Sequence, residues 1–128
     1  MDKEQKKFSI KERLLTFKYV FSGLCVLWKE EHNARIHIIV SIVVLILSFL
    51  FRISLTEWLI VLILIALVLS LEIINTAIEN ICDYISPEWH QKIKKIKDLS
   101  AAAVFVAAVV SVICGFIIFL PKICDFMS

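Results

Sequence analysis

From Trp58 to Ser70 the chain is almost uninterrupted Leu, Ile and Val, and it runs without a break into L-E-I-I-N-T-A-I-E-N-I-C-D at 71–83. A run of that length and apolarity reads as a membrane-spanning helix. On such a helix Glu72, Asn75, Thr76, Glu79 and Asp83 follow one another at intervals of three, one, three and four, and so form a single polar stripe. An ionisable group on a membrane helix is expensive, and three acids on one stripe are not accounted for by packing. The stripe is the first candidate site.

The rest of the composition agrees with a membrane chain. The 128 residues are enough for one small domain, 60% of them are hydrophobic, and the mean hydropathy of +0.89 lies outside the range of soluble domains. Three long apolar stretches make it an integral membrane protein. A net charge of +2 is too small for a nucleic-acid binder. Cys25, Cys82, Cys114 and Cys124 form no CxxC pair and have no His at metal-ligand spacing, so they read as structural thiols rather than a zinc site. The charged N-terminus lacks an apolar segment with a small-residue cleavage site, so no cleavable signal is expected.

Taken in order, residues 1–9 form a polar, Lys-rich tail. Over 10–30, Leu14, Phe17, Phe21, Leu24, Cys25 and Trp28 make one apolar face with Lys11, Lys18, Ser22 and Lys29 elsewhere; this is a basic amphipathic helix suited to the membrane interface. The polar cluster K-E-E-H-N-A-R-I-H at 29–37 leads into the first span, 33–51, with Glu31 and Arg35 spaced to pair along it. Ser54 and Glu57 form a capping-box pattern ahead of the second span, 55–83. That span is longer than a bilayer needs, so its last turns should emerge with Glu79 and Asp83, leaving Glu72 roughly 15 Å deeper. Ser86-Pro87-Glu88 reads as the start of a short interfacial helix over 86–96. The third span, 98–120, opens at Asp98, a candidate N-cap, and ends at Pro121. Its Ala103, Ala107, Ser111 and Gly115 recur every four residues, a pattern for close helix or subunit contact.

Basic residues crowd the segment before the first span and the 84–97 loop, whereas the other side has only Arg52 and Lys122. The positive-inside rule then places the N-terminus and that loop in the cytoplasm. Both polar clusters meet there. Glu31, Glu72, Glu79, Asp83 and Asp98, with Asn75, His90 and Lys97 near them, make an oxygen-rich set suited to Mg²⁺ shared with substrate phosphates. Lysines can balance phosphate charge, and a carboxylate near lipid suits a general base. With just two glycines, Gly23 and Gly115, the chain has no Gly-rich phosphate loop. The arrangement fits Mg-dependent phosphoryl transfer to a lipid hydroxyl.

The segments E-H-N-A-R-I-H at 31–37, E-I-I-N-T-A-I-E-N-I-C-D at 72–83 and I-K-D-L-S-A-A-A-V at 96–104 resemble the small prokaryotic integral-membrane diacylglycerol kinases. The closer likeness is to their Gram-positive relatives that phosphorylate undecaprenol. The resemblance implies an all-α bacterial cell-membrane protein, a homotrimer of three-span subunits with an N-terminal surface helix and shared active sites. It implies Glu72 as general base, with Asn75 and Arg35 at the lipid acceptor and Asp98 also in the catalytic set. Glu31 and Glu79 would hold Mg²⁺ against ATP. Tyr19, Glu88, Trp89, His90, Lys97 and Asp98 would contact the nucleotide. At 89 many members have Tyr, and the family's N-terminal basic nucleotide contact falls on Glu12, with Arg13 beside it.

Within that reading undecaprenol is the expected acceptor and diacylglycerol the alternative. A different class, a proton-coupled transporter or membrane scaffold, would want its acid near the midplane and repeat-related helices. Three spans without a repeat, and acids crowded at one end, count against it.

Overall fold

The computed structural model describes residues 7–128, so the first six residues of the expected tail lie outside the described residues. Four helices follow one another: α1 (Ile10–Glu30), α2 (His32–Leu50), α3 (Leu55–Ile85) and α4 (Gln91–Met127), and there is no strand among the described residues. The last three are each long and apolar enough to cross a membrane.

α1 starts at Ser9, whose hydroxyl accepts from the Glu12 N–H. It ends at Glu31, a single extended residue (φ −115°, ψ 111°), and α2 begins immediately after. Such a sharp corner strands the last carbonyls of α1. Arg35 satisfies them: its Nε donates to the Trp28 carbonyl at 2.5 Å and its Nη2 to the Lys29 carbonyl at 2.6 Å. The Glu31–Arg35 side-chain pairing expected along a helix is therefore absent among the described residues. The reason is geometric, because Glu31 caps the corner instead of riding on α2.

At the other end of α2 the chain reverses through Phe51–Ser54, with Arg52 in the left-handed region (φ 50°). The capping box is present as the sequence indicated, Ser54 Oγ accepting from Glu57 N–H and Glu57 Oε1 accepting from Ser54 N–H. Ile53, just outside the cap, and Trp58, one turn in, belong to the same apolar cluster, the arrangement of a hydrophobic staple. That cluster of Ile53, Val61, Ile118 and Phe119 is the core of the molecule and joins the start of α3 to the end of α4. Phe49 stacks edge-on against Trp58 with ring centroids 4.8 Å apart. Lys122 Nζ lies 3.0 and 3.1 Å from the two Glu57 oxygens, adding an ion pair between the same two helix ends.

Three expectations fail at α4. No separate helix covers 86–96. Ser86 closes α3, its N–H on the Cys82 carbonyl and its hydroxyl on the Glu88 carbonyl. The start falls instead to His90, whose Nδ1 accepts from Lys92 N–H. With no Gly or Pro from Gln91 to Asp98, nothing stops the helix from running straight into the span, and Asp98 is mid-helix rather than a cap. Pro121 also fails to end the helix, which continues to Met127. A proline removes one main-chain donor, and the Lys122–Glu57 pair anchors the following turn to α3.

Replacing Ser54 with Ala removes the cap that starts α3, while leaving Glu57 free to pair with Lys122. The expected cost is about 1 kcal/mol, read as a lowered thermal midpoint of the detergent-solubilised protein; an unchanged midpoint would show that the packed cluster alone fixes this helix end.

Candidate active site

The polar stripe of α3 faces both neighbouring helices at the end remote from the apolar core. Glu72 is only 3% exposed. Its Oε1 lies 3.3 Å from Nε2 of His37, which α2 delivers from its second turn. One turn further, Asn75 is held from two sides: its Nδ2 donates to Glu79 Oε1 at 3.4 Å, and its Oδ1 accepts from Ser100 Oγ of α4 at 2.5 Å. Thr76 is buried with its hydroxyl unpartnered among the described residues. At the rim Lys97 of α4 pairs with Asp83 of α3.

Glu31, at the α1–α2 corner, lies within hydrogen-bonding reach of Glu79. Burial raises the Glu31 carboxyl above the usual carboxylate range; the charge of Glu79 and its hydrogen bond raise it further, and Glu72 and Glu30 add in the same direction. Two facing carboxyls that repel each other fit a cation between them. Among the described residues no group of three or more His, Cys, Asp or Glu side chains is placed to hold a metal ion by itself. A pair of carboxylates suits a hard ion such as Mg²⁺, which keeps several waters and draws other ligands from substrate phosphates.

Two cavities meet at this site. One, of about 450 Å³, is bounded by Asn33, His37, Glu72 and Asn75 on one side and by α4 from Ala101 to Ala108 on the other. The second, of about 330 Å³, is lined almost wholly by apolar side chains of α2, α3 and α4, from Ile36 down to Phe119. His37 and Ala108 belong to both. A chamber with polar groups on its α2–α3 side and an apolar α4 wall thus adjoins a second, apolar cavity beside a buried carboxylate.

Of the residues singled out from sequence, the fold brings together Glu31, Glu72, Asn75 and Glu79. Lys97 reaches the rim through Asp83. Asp98 is exposed and pairs with Lys94 on its own helix at 2.6 Å. Glu88, Trp89 and His90 lie in the exposed α3–α4 connection, and His90 Nδ1 is engaged in capping. Tyr19 is 70% exposed on α1. Arg35 is committed to the α1 carbonyls.

His37 and Ser100 received no role from the sequence, yet both hold the site. A signal existed for each. Ala34, Ser41 and Ser48 recur every seven residues along α2, with His37 on the same face, and Ala34 and Ser48 are fully buried. On α4, Ser100, Val104 and Ala107 are spaced four and three apart, and the latter two are buried against the bundle.

The family model for prokaryotic diacylglycerol kinase matches residues 18–119, which takes in every site residue named above. The undecaprenol kinase of Bacillus subtilis is 37% identical over 123 residues, covering 96% of this chain and 100% of its own length. The diacylglycerol kinase of Haemophilus influenzae is 30% identical over 103 residues, covering 80% of this chain and 87% of its own. That of Synechocystis is 30% identical over 115 residues, covering 89% and 66%.

Because the folded protein holds the Glu31 proton more tightly than the unfolded chain does, the charged carboxyl opposes folding at neutral pH, and the penalty fades as pH falls through the raised value. In cation-free buffer the thermal midpoint should gain a contribution from this group as pH falls from neutral toward the usual carboxylate range. Glu31→Gln should raise the midpoint at pH 7 and flatten that part of the profile. Mg²⁺ should stabilise the wild type more than the variant. Equal Mg²⁺ effects on both would remove Glu31 from the cation site.

Proposed function

The chain belongs to the prokaryotic diacylglycerol kinase family, and on that premise we propose that it is a lipid kinase that moves the γ-phosphoryl group of ATP to the hydroxyl of undecaprenol, with diacylglycerol as the alternative acceptor. The observation that carries the chemistry is the place of Glu72: a buried carboxylate among the polar groups Asn33, His37 and Asn75, next to an apolar cavity. A lipid alcohol has that same division, a hydroxyl on an apolar chain. The preference for undecaprenol rests on the match to the whole length of an undecaprenol kinase at 37% identity, against 30% for the two diacylglycerol kinases above.

In this mechanism Glu72 takes the proton of the acceptor hydroxyl as its oxygen attacks the γ-phosphorus and the bond to the β–γ bridging oxygen breaks, releasing ADP. Asn75, fixed by Glu79 and Ser100, orients the base and the acceptor. Glu31 and Glu79 would hold Mg²⁺, which would offset phosphate charge. Lys97, with Asp98 beside it, faces the nucleotide at the rim. The exposed Glu88, Trp89 and His90 and the exposed Tyr19 of α1 are free to close on it. Arg35, expected at the acceptor, instead acts at one remove on the cation side, by locking the corner that carries Glu31.

The basic residues before α2 and in the α3–α4 connection support an N-terminus and active site on the cytoplasmic face of the bacterial plasma membrane, with α1 lying in the interface. A homotrimer completes the picture. Only 11%, 28% and 22% of the apolar windows of α2, α3 and α4 are buried within one chain, which leaves wide faces for neighbours as well as lipid.

Purified protein in detergent, labelled ATP, and undecaprenol and short-chain diacylglycerol in parallel test the proposal. Undecaprenyl phosphate should be the faster product, and omission of Mg²⁺ should reduce transfer to background. Glu72→Gln should lower kcat by roughly 10²–10⁴ in a folded trimer. Phosphatidic acid as the dominant product would reassign the acceptor. No transfer to either lipid from folded protein would overturn the kinase reading.

A further inference from the structure

The mechanism above leaves one buried contact unused. Glu72 has a single basic partner among the described residues, His37, with Nε2 3.3 Å from Oε1 and the ring about a quarter exposed. Asn75, Thr76, whose buried hydroxyl is unpartnered among the described residues, and Glu79 are the other polar groups of that stripe of α3. From α4 the chamber wall next to it, Ala101 to Ala108, is made of small or apolar side chains. A carboxylate this buried needs a donor; from α2 His37 is the one in contact, while Asn33 lines the same chamber.

The identity of the partner matters. A base must be held without being weakened. Lys or Arg in this place would add a permanent positive charge and favour the unprotonated acid at the expense of its basicity. A neutral imidazole supplies one directional N–H and no net charge. His37 also lines both cavities, so it stands where the acceptor's hydroxyl end passes from the apolar chamber to Glu72.

We propose that His37 is the positioning residue of the reaction: through the proton on Nε2 it donates to Oε1 of Glu72 and so leaves the second carboxylate oxygen to receive the acceptor's proton. His37 keeps its own proton throughout; the proton that moves goes from the lipid hydroxyl to Glu72, and the electron pair of the broken phosphoanhydride leaves with ADP. This assignment rests on the kinase reading and adds to it the group that aims its base.

Two substitutions separate aiming from bulk. His37→Leu keeps the volume and removes the donor; His37→Gln keeps an amide N–H. His37→Leu should lower kcat about tenfold with the KM for ATP unchanged, and His37→Gln should recover most of that loss. In a Glu72→Gln background His37→Leu should have no further effect, because its action runs through the missing base. A wild-type kcat in His37→Leu, a His37→Gln variant as slow as His37→Leu, or additive losses with Glu72→Gln would each overturn the assignment.

A second readout does not depend on turnover. In protein carrying ¹⁵N-labelled histidine, above neutral pH, His37 should show the Nε2–H tautomer, and Glu72→Gln should shift its ring resonances. Identical His37 spectra in the two proteins would show that the contact is absent. A wild type that phosphorylates no lipid alcohol but still shows the Glu72-dependent His37 spectrum would overturn the kinase reading, and the catalytic role with it, while leaving the contact standing.

Discussion

A carboxylate 3% exposed inside a membrane bundle sets the terms for everything around it. It cannot be left without hydrogen-bond partners, and no side chain of α3 is bonded to it among the described residues: Asn75 is engaged by Glu79 and Ser100, and the buried Thr76 hydroxyl has no partner. The contact of His37 with Glu72 and that of Ser100 with Asn75 therefore require α2 and α4 to arrive at one level on α3. The packing that enforces this lies at the opposite end. The Ile53, Val61, Ile118 and Phe119 cluster and the Glu57–Lys122 pair bind the three spans firmly there. The polar contacts gather at the site end, beside the cavity bounded by Asn33, His37, Glu72 and Asn75. The apolar cavity runs between the two ends, from Ile36 and His37 to Val61, Ile118 and Phe119 of the cluster itself.

This reliance on contacts between helices explains which parts of the molecule could be read from the chain. Helix periodicity is a local property, so the stripe at 72–83, the spans and the capping box at Ser54 were all legible. The failures occur where a distant contact decides. Ser86 and Pro87 carry a good local start signal, but Ser86 is drawn into closing α3. Pro121 is a good local stop, but its neighbour Lys122 is tied to Glu57, 65 residues away. Arg35 is spaced to pair with Glu31, but the one-residue corner turns Glu31 aside and leaves two bare carbonyls for the guanidinium. His37 and Ser100 were missed for a related reason: one polar residue on an apolar face says nothing until its partner on another helix is known.

The small-residue stripe of α4 shows the same limit. Ala107 is buried, as a close helix contact requires. At Gly115, by contrast, an added Cβ would meet nothing within 4 Å, and Gly115 lines the apolar cavity instead. Within one chain the stripe is therefore only partly used for close approach, and its remainder shapes the space beside His37 that the proposed acceptor chain needs.

Helix length accounts for how such a site can serve two substrates of opposite character. α3 has 31 residues, about 46 Å, against a hydrocarbon core of about 30 Å. If the capped end at Ser54 marks one membrane surface, the core ends some 20 residues on, close to Asn75. Glu72 then lies just inside the lipid boundary and Glu79, two turns and about 10 Å further along the axis, just outside it. On the proposed mechanism this puts Glu72 at the depth of a lipid hydroxyl, and the Glu31–Glu79 pair at the depth of a soluble, phosphate-bearing donor. One overlong helix with acids seven residues apart would then hold the two halves of the proposed phosphoryl transfer on either side of that boundary.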